Sequence, residues 1–235
     1  MRPLLALSLL VLLVACGREA ATTATNAGNA TVAAPASDSA RPNSGELRRD
    51  RLPRIVFLGD SLTAGLGLST DKSFPSVIGR KLKDRGLDFE VINAGVSGDT
   101  SAGGLRRLDW SLEGDVRVLI VALGANDGLR GLPIDELEKN LSAVLDRAKA
   151  RGIPVILAGM EAPPNNGVDY TTAFRKVYTD LAKRYQVRFI PFLLQGVAGD
   201  ASLNQMDGIH PNVRGAEIVA DLVWKELEPV VRRPN

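Results

Sequence analysis

From Arg54 almost to the C-terminus, short apolar runs alternate with longer segments whose apolar positions return at helical spacing. Arg54-Ile55-Val56-Phe57-Leu58 is β-branched and aromatic and stops at Gly59, which predicts a buried strand ending in a tight turn. Further strands are predicted over Asp88–Ile92, over Asp115–Leu123 (apolar from Val116 onward except at Arg117), over Ile153–Met160 and over Val187–Ile190. Between them lie helical patterns. A helix-compatible stretch follows Gly65 and Gly67. Ser73–Leu87 repeats Phe74, Val77, Ile78 and Leu82, with Gly86 placed to close it. Ser101–Leu112, Tyr170–Tyr185 and Val213–Leu227 also read as helices. Pro133–Ala150 is the strongest of them, with Leu137, Leu141, Val144, Leu145 and Ala148 on one face. Glu161–Asp169 holds Pro163-Pro164-Asn165-Asn166-Gly167 and reads as a loop.

Strands alternating with helices of this length imply right-handed crossovers and a parallel sheet covered on both faces. The expected class is therefore α/β, a three-layer α/β/α arrangement on a five-stranded, parallel, flavodoxin-like sheet. Periodicity does not order the strands. The domain is expected to occupy residues 51–235.

The pattern is different before residue 51. Met1-Arg2 leads into the apolar run Leu4–Val14, too short to span a bilayer but suited to the core of a secretory signal. Leu13-Val14-Ala15-Cys16 resembles a bacterial lipobox, in which cleavage leaves a lipidated cysteine at the new N-terminus. An ordinary signal, or an apolar start with an incidental cysteine, fits the same residues. Gly17 rather than aspartate in the following position resembles outer-membrane sorting. Residues 17–50 are rich in Ala, Thr, Ser and Asn and show no face to bury, so they read as a disordered tether. A flexible coil of that length spans roughly 30 Å. The expected location is outside the cytoplasm, on the periplasmic side of the envelope, with a lipid at Cys16 as the only attachment to the outer membrane.

Composition narrows the function. A 45% apolar fraction suits a domain with a real core, and a formal net charge of +2 without a basic stripe argues against nucleic acid as partner. The chain has one cysteine, Cys16, and one histidine, His210. That rules out an intramolecular disulfide and leaves no basis for a Cys/His zinc site. Any imidazole chemistry must use His210.

In an open α/β sheet, ligands collect outside the carboxyl ends of the strands. Three such ends carry polar or glycine-rich turns: Ser61 after the first strand, Gly98 after the second and Asn126 after the third. A fourth segment, Asp207-Gly208-Ile209-His210, lies near the C-terminus. Acyl transfer requires a nucleophile, a base and donors for the developing oxyanion. Ser61 can attack once His210 takes its proton, and Asp207 is spaced to orient the ring. The Ser61 N–H, the Gly98 N–H and the Asn126 amide can serve the oxyanion, glycine at 98 letting the backbone come close to substrate. Each piece also fits a purely structural role: Asp60 or Asp207 as a cap, Asn126-Asp127-Gly128 as a turn, His210 as a loop residue.

Taken together, Gly59-Asp60-Ser61, Gly98, Gly124-Ala125-Asn126-Asp127 and Asp207-Gly208-Ile209-His210-Pro211 resemble the blocks of the SGNH, or GDSL, hydrolase superfamily. Ser97-Gly98-Asp99-Thr100-Ser101 and the run Gly124–Gly131 are most similar to its arylesterase/acyl-CoA thioesterase I/lysophospholipase branch. The resemblance covers about residues 53–228. It implies a serine ester hydrolase with the triad Ser61, Asp207 and His210, an oxyanion hole of Ser61, Gly98 and Asn126, and no cofactor or metal. Asp60 then reads as a turn residue. The expected partner is a small acyl ester, thioester or lysophospholipid, and the chain is read as a monomer. An apolar acyl pocket is expected beside Asn126, between Leu129–Pro133 and the Met160–Gly167 loop. Two other readings remain: a carbohydrate O-acetyl esterase with the same triad, and a non-catalytic envelope lipoprotein. Competing motifs fail. Ser61 lacks a G-x-S-x-G elbow, and Gly65-Leu66-Gly67 completes neither a dinucleotide fingerprint nor a P-loop.

Overall fold

The computed structural model describes residues 52–232. The signal-like segment with Cys16 and the tether over 17–50 lie outside the described residues. The apolar runs form β1 (Arg54–Gly59), β2 (Glu90–Gly95), β3 (Val116–Ala122), β4 (Val155–Ala158) and β5 (Arg188–Ile190). All pair in parallel, in the order β2-β1-β3-β4-β5. β1 and β3 are buried almost throughout, because strands inside a parallel sheet are covered on both faces. Their residues therefore read as continuous apolar runs. The edge strands β2 and β5 are mostly half-buried.

The helices are α1 (Ser61–Ala64), α2 (Phe74–Asp84), α3 (Ser101–Arg106), α4 (Leu108–Ser111), α5 (Ala125–Leu129), α6 (Ile134–Ala150), α7 (Val168–Tyr185) and α8 (Val213–Val231). α2 packs on α8, while α6 packs on both α3 and α7, so helices cover the two faces of the sheet as separate layers. The apolar positions expected on α2 and α6 are the ones buried there. The α/β/α arrangement and its five-stranded parallel sheet match the expectation.

Boundaries differ where long-range contacts intervene. The single helix expected over Ser101–Leu112 breaks at Arg107, whose backbone leaves the helix while its side chain turns to the strand ends. The turn expected after β3 is a helical turn, α5, because the carboxylate of Asp127 is drawn to Ser101. The expected loop before α7 contains a short 3-10 turn, Pro164–Asn166, and α7 starts at Val168. α8 continues past Leu227 through Pro229, in its last turn, to Val231.

Register brings three strand ends level. Gly59 stands opposite Gly95 of β2 and Ala122 of β3. The sheet order reverses between β1 and β3, which opens the crevice where open α/β sheets bind ligands. α1 begins almost at once after β1 and lies directly on it. A Cβ on Gly59 would sit 1.9 Å from Thr63 Oγ1 and 2.9 Å from the Ala122 carbonyl oxygen, so only glycine fits. Gly59→Ala is expected to lower stability by roughly 1–3 kcal/mol, the usual cost of overpacking, and to reduce ester turnover by lifting α1. Urea unfolding and a steady-state assay on the same preparation check both; unchanged stability would show that α1 is free to shift.

Candidate active site

Asp60 caps α1: its Oδ1 accepts the N–H of Leu62 at 3.0 Å. Ser61 is thereby the first residue of the helix, where an N–H has no intrahelical acceptor. Its hydroxyl lies 2.8 Å from His210 Nε2, and His210 Nδ1 lies 2.7 Å from Asp207 Oδ2. The other carboxylate oxygen, Oδ1, accepts the backbone N–H groups of Ile209 and His210, each at 3.0 Å. These bonds, the His210 N–H first, then its ring and the Ile209 N–H, hold the Asp207 carboxyl down at about 2. An ionised Asp207 can only accept, so in the neutral imidazole Nδ1 carries the proton and Nε2 faces the Ser61 hydroxyl as an acceptor.

The loop bearing Asp207 and His210 is closed by its neighbours. Gln205 donates its backbone N–H to the His210 carbonyl at 2.7 Å, and its side-chain amide donates to Leu66 at 2.7 Å and to Pro211 at 3.0 Å. Leu66 belongs to the turn after α1. Gln205 therefore ties the two halves of the relay together through one amide.

The residues expected to supply the oxyanion donors line the same cavity as Ser61. Gly98 has φ +83°, a backbone that favours glycine. The N–H groups of Ser61 and Gly98 make no hydrogen bond within the described residues. Asn126, on α5, donates one amide hydrogen to the Asp99 carbonyl at 3.0 Å and keeps the other. α5 and Arg130, the residue that caps its C-terminus, add further contacts to this segment. The buried Asp127 accepts the Ser101 N–H at 2.8 Å and its hydroxyl at 2.5 Å, and Arg130 donates to the Gly98 carbonyl at 2.9 Å. Asn140 completes the buried cluster by donating to Ser101 Oγ at 3.0 Å.

Ser61, Gly98, Asn126 and His210 all line one cavity of about 540 Å³. Leu129, Met160, Ala162, Pro163 and Pro164 form one apolar wall, as expected; Leu132 and Pro133 do not reach it. Phe192, Leu194, Ala198 and Ile209 line the same cavity and lie outside the expected pocket segments. The signal for the first two was the apolar run Pro191-Phe192-Leu193-Leu194 directly after the fifth strand, another strand end. Among the described residues, no three His, Cys, Asp or Glu side chains are grouped to hold a metal ion, and no helix is long and apolar enough to cross a membrane.

The GDSL-like Lipase/Acylhydrolase family matches residues 57–218. The chain belongs to this family. It is 40% identical over 178 residues to "Esterase TesA" of Pseudomonas aeruginosa, covering 75% of this chain and 89% of the relative. It is 37% identical over 182 residues to "Thioesterase 1/protease 1/lysophospholipase L1" of Escherichia coli, covering 77% and 86%. The crystal structure of TesA superposes with a TM-score of 0.72 at 40% identity, covering 75% of this chain and 99% of that one. The chain is accordingly a serine ester hydrolase of the SGNH fold.

Asp60 is more than the turn residue expected from the sequence. It is fully buried beneath Ser61, its Oδ2 has no partner, and burial pushes its carboxyl up to about 6. The Leu62 N–H and the nearby His210 offset only part of that burial. Because the folded value lies above the ordinary 3.8, the protonated acid suits the fold best, and stability is lost as pH rises between about 4 and 6. Asp60→Asn keeps the capping oxygen and removes the buried charge. It is expected to gain up to roughly 3 kcal/mol at pH 8 and nothing below pH 4. Urea unfolding at the two pH values decides it, and an equal difference at both would rule out the buried charge as the cause.

Proposed function

We propose that the enzyme cleaves acyl esters in two steps through an acyl-enzyme on Ser61. The observation that carries this is the Ser61–His210–Asp207 relay opening into an apolar cavity beside three available donors. His210 Nε2 takes the Ser61 proton as Oγ attacks the carbonyl carbon, and the negative charge that forms on oxygen is met by the Ser61 N–H, the Gly98 N–H and the Asn126 amide. The imidazolium then gives its proton to the leaving alcohol or thiol. In the second step His210 activates water, which attacks the acyl-enzyme and releases the acid. Asp207 keeps the ring in one tautomer throughout and stabilises its cationic form. Asp207 stays ionised down to about 2, so mild acidification leaves the carboxylate that orients the ring in place.

The substrate is an acyl oxyester, thioester or lysophospholipid. Its acyl chain lies in the cavity, whose Leu129, Met160, Pro163, Phe192 and Leu194 walls suit a hydrocarbon better than an acetylated sugar. The relatives named as an esterase and as a thioesterase and lysophospholipase are consistent with that range. The sequence before residue 51 supports export and attachment through a lipid on Cys16, on the periplasmic side of the outer membrane.

Ser61→Ala and His210→Ala are each expected to lower kcat by on the order of 10⁶, and Asn126→Ala by roughly 10²–10³. A p-nitrophenyl ester series of increasing chain length should favour acyl chains longer than acetyl in the wild type. Near-wild-type turnover by Ser61→Ala would sink the mechanism, and a preference for acetylated glycans would move the substrate class. For the anchor, Cys16→Ala should move the protein from the membrane fraction to the soluble one; continued full partition with membranes would refute lipidation there.

A further inference from the structure

The donors for the oxyanion sit on three separate strand ends; the β1–β2 ladder sets Gly59 opposite Gly95 and the Val96 N–H bonds to the Gly59 carbonyl at 3.1 Å, but Ser61 and Gly98 both lie beyond that last ladder contact. Two side chains bridge the Ser61 and Gly98 arms: Asn93 of β2, whose amide donates to the Thr63 carbonyl of α1 at 2.9 Å, and Arg107, which reaches the chain on both sides. Arg107, at the break between α3 and α4, donates from Nη2 to the Gly59 carbonyl at 2.6 Å, from Nη1 to the Ala94 carbonyl at 2.6 Å and from Nε to Asp99 Oδ2 at 2.7 Å. Its side chain is only 17% exposed and that of Asp99 19%. Gly59 lies two residues before Ser61, and Ala94 is the penultimate residue of β2, the strand that leads to Gly98. Asp99 directly follows Gly98, and its backbone carbonyl is the acceptor that holds the Asn126 amide. One planar guanidinium thus contacts the chain near the Ser61 and Gly98 donors and, through Asp99, the residue that holds Asn126.

We propose that Arg107, paired with Asp99, is the positioning residue of the oxyanion hole. It touches neither substrate nor reacting atoms. It fixes the separation between the Ser61 and Gly98 N–H groups and, through Asp99, the aim of Asn126. The three bonds leave one guanidinium in one plane, a geometry that lysine, a flexible point charge, cannot reproduce. A change of a few tenths of an ångström among the donors is felt in the transition state, where the oxyanion exists, and little in the bound ester. This inference rests on the hole assigned above.

The test is Arg107→Lys, with Asp99→Ala as a second way to sever the pair, both assayed on a short-chain p-nitrophenyl ester. Expected is a fall in kcat of about 10²-fold with KM within about twofold, and an equal fall in the rate at which an alkylphosphonate ester modifies Ser61. The double variant Arg107→Lys/Asn126→Ala should lose far less than the product of the two single losses, because both act on one hole. Thermal melts identify a variant that fails to fold; if Arg107→Lys does, Asp99→Ala decides. Wild-type kcat, a loss confined to KM, or losses that multiply in the double variant would overturn the inference. Ser61→Ala runs alongside: a dead Ser61→Ala with an unaffected Arg107→Lys removes only this proposal, whereas an active Ser61→Ala removes the mechanism beneath it.

Discussion

Ser61 and His210 are separated by 149 residues of sequence, and their side chains meet at 2.8 Å. Holding that contact is a demand on the whole domain. Ser61 is set by β1, which lies inside the sheet between β2 and β3 and is buried along almost its entire length. His210 is carried on a loop outside the sheet, closed on itself by Asp207 and Gln205 and followed at once by α8, which packs on α2. Gln205 bonds back to Leu66, beside Ser61, so the two partners share one frame. A rigid centre with a fastened loop gives the precision that proton transfer requires without burying the histidine out of reach of substrate.

Two aspartates near the serine show how environment divides one chemical group into two roles. Asp207 is partly exposed and receives three N–H donors, so it is held ionised. Asp60 is buried with one oxygen unpartnered, so its ionisation is resisted. Desolvation and hydrogen bonding act in opposite directions on the same carboxyl. The exposed one orients the histidine. The buried one fixes the turn that presents Ser61 and places a strained charge below it.

The cavity takes something from every strand end: the nucleophile from β1, Gly98 from beyond β2, Asn126 from beyond β3, and apolar walls from beyond β4 and β5. A parallel sheet makes this possible because all its strands finish on one edge, and the reversal of strand order opens a crevice there. The apolar walls and the polar donors are then neighbours in space while belonging to different crossovers. Reaction centre and acyl chain site can vary separately on such a frame.

Local pattern carried much of this in the sequence. The buried runs of β1 and β3, the apolar faces of α2 and α6, and the polar turns at Ser61, Gly98 and Asn126 are all short-range features, legible because burial on two faces and helical spacing leave a mark within a few residues. The lone histidine with Asp207 three residues before it made the relay legible as well. What escaped depends on distant partners. The break at Arg107 follows from acceptors 13 and 48 residues away, α5 from a serine 26 residues before Asp127, and the Phe192 and Leu194 wall from a fold that returns that loop to the front of the sheet. Strand order was likewise invisible to periodicity. By itself the sequence determined the buried strands, the long amphipathic helices and which residues could do acyl chemistry, since those follow from side-chain type and spacing. Only the tertiary structure decided which groups share a cavity, what Asp60 and Arg107 touch, and how the donors are held, because hydrogen bonds and burial depend on proximity in space.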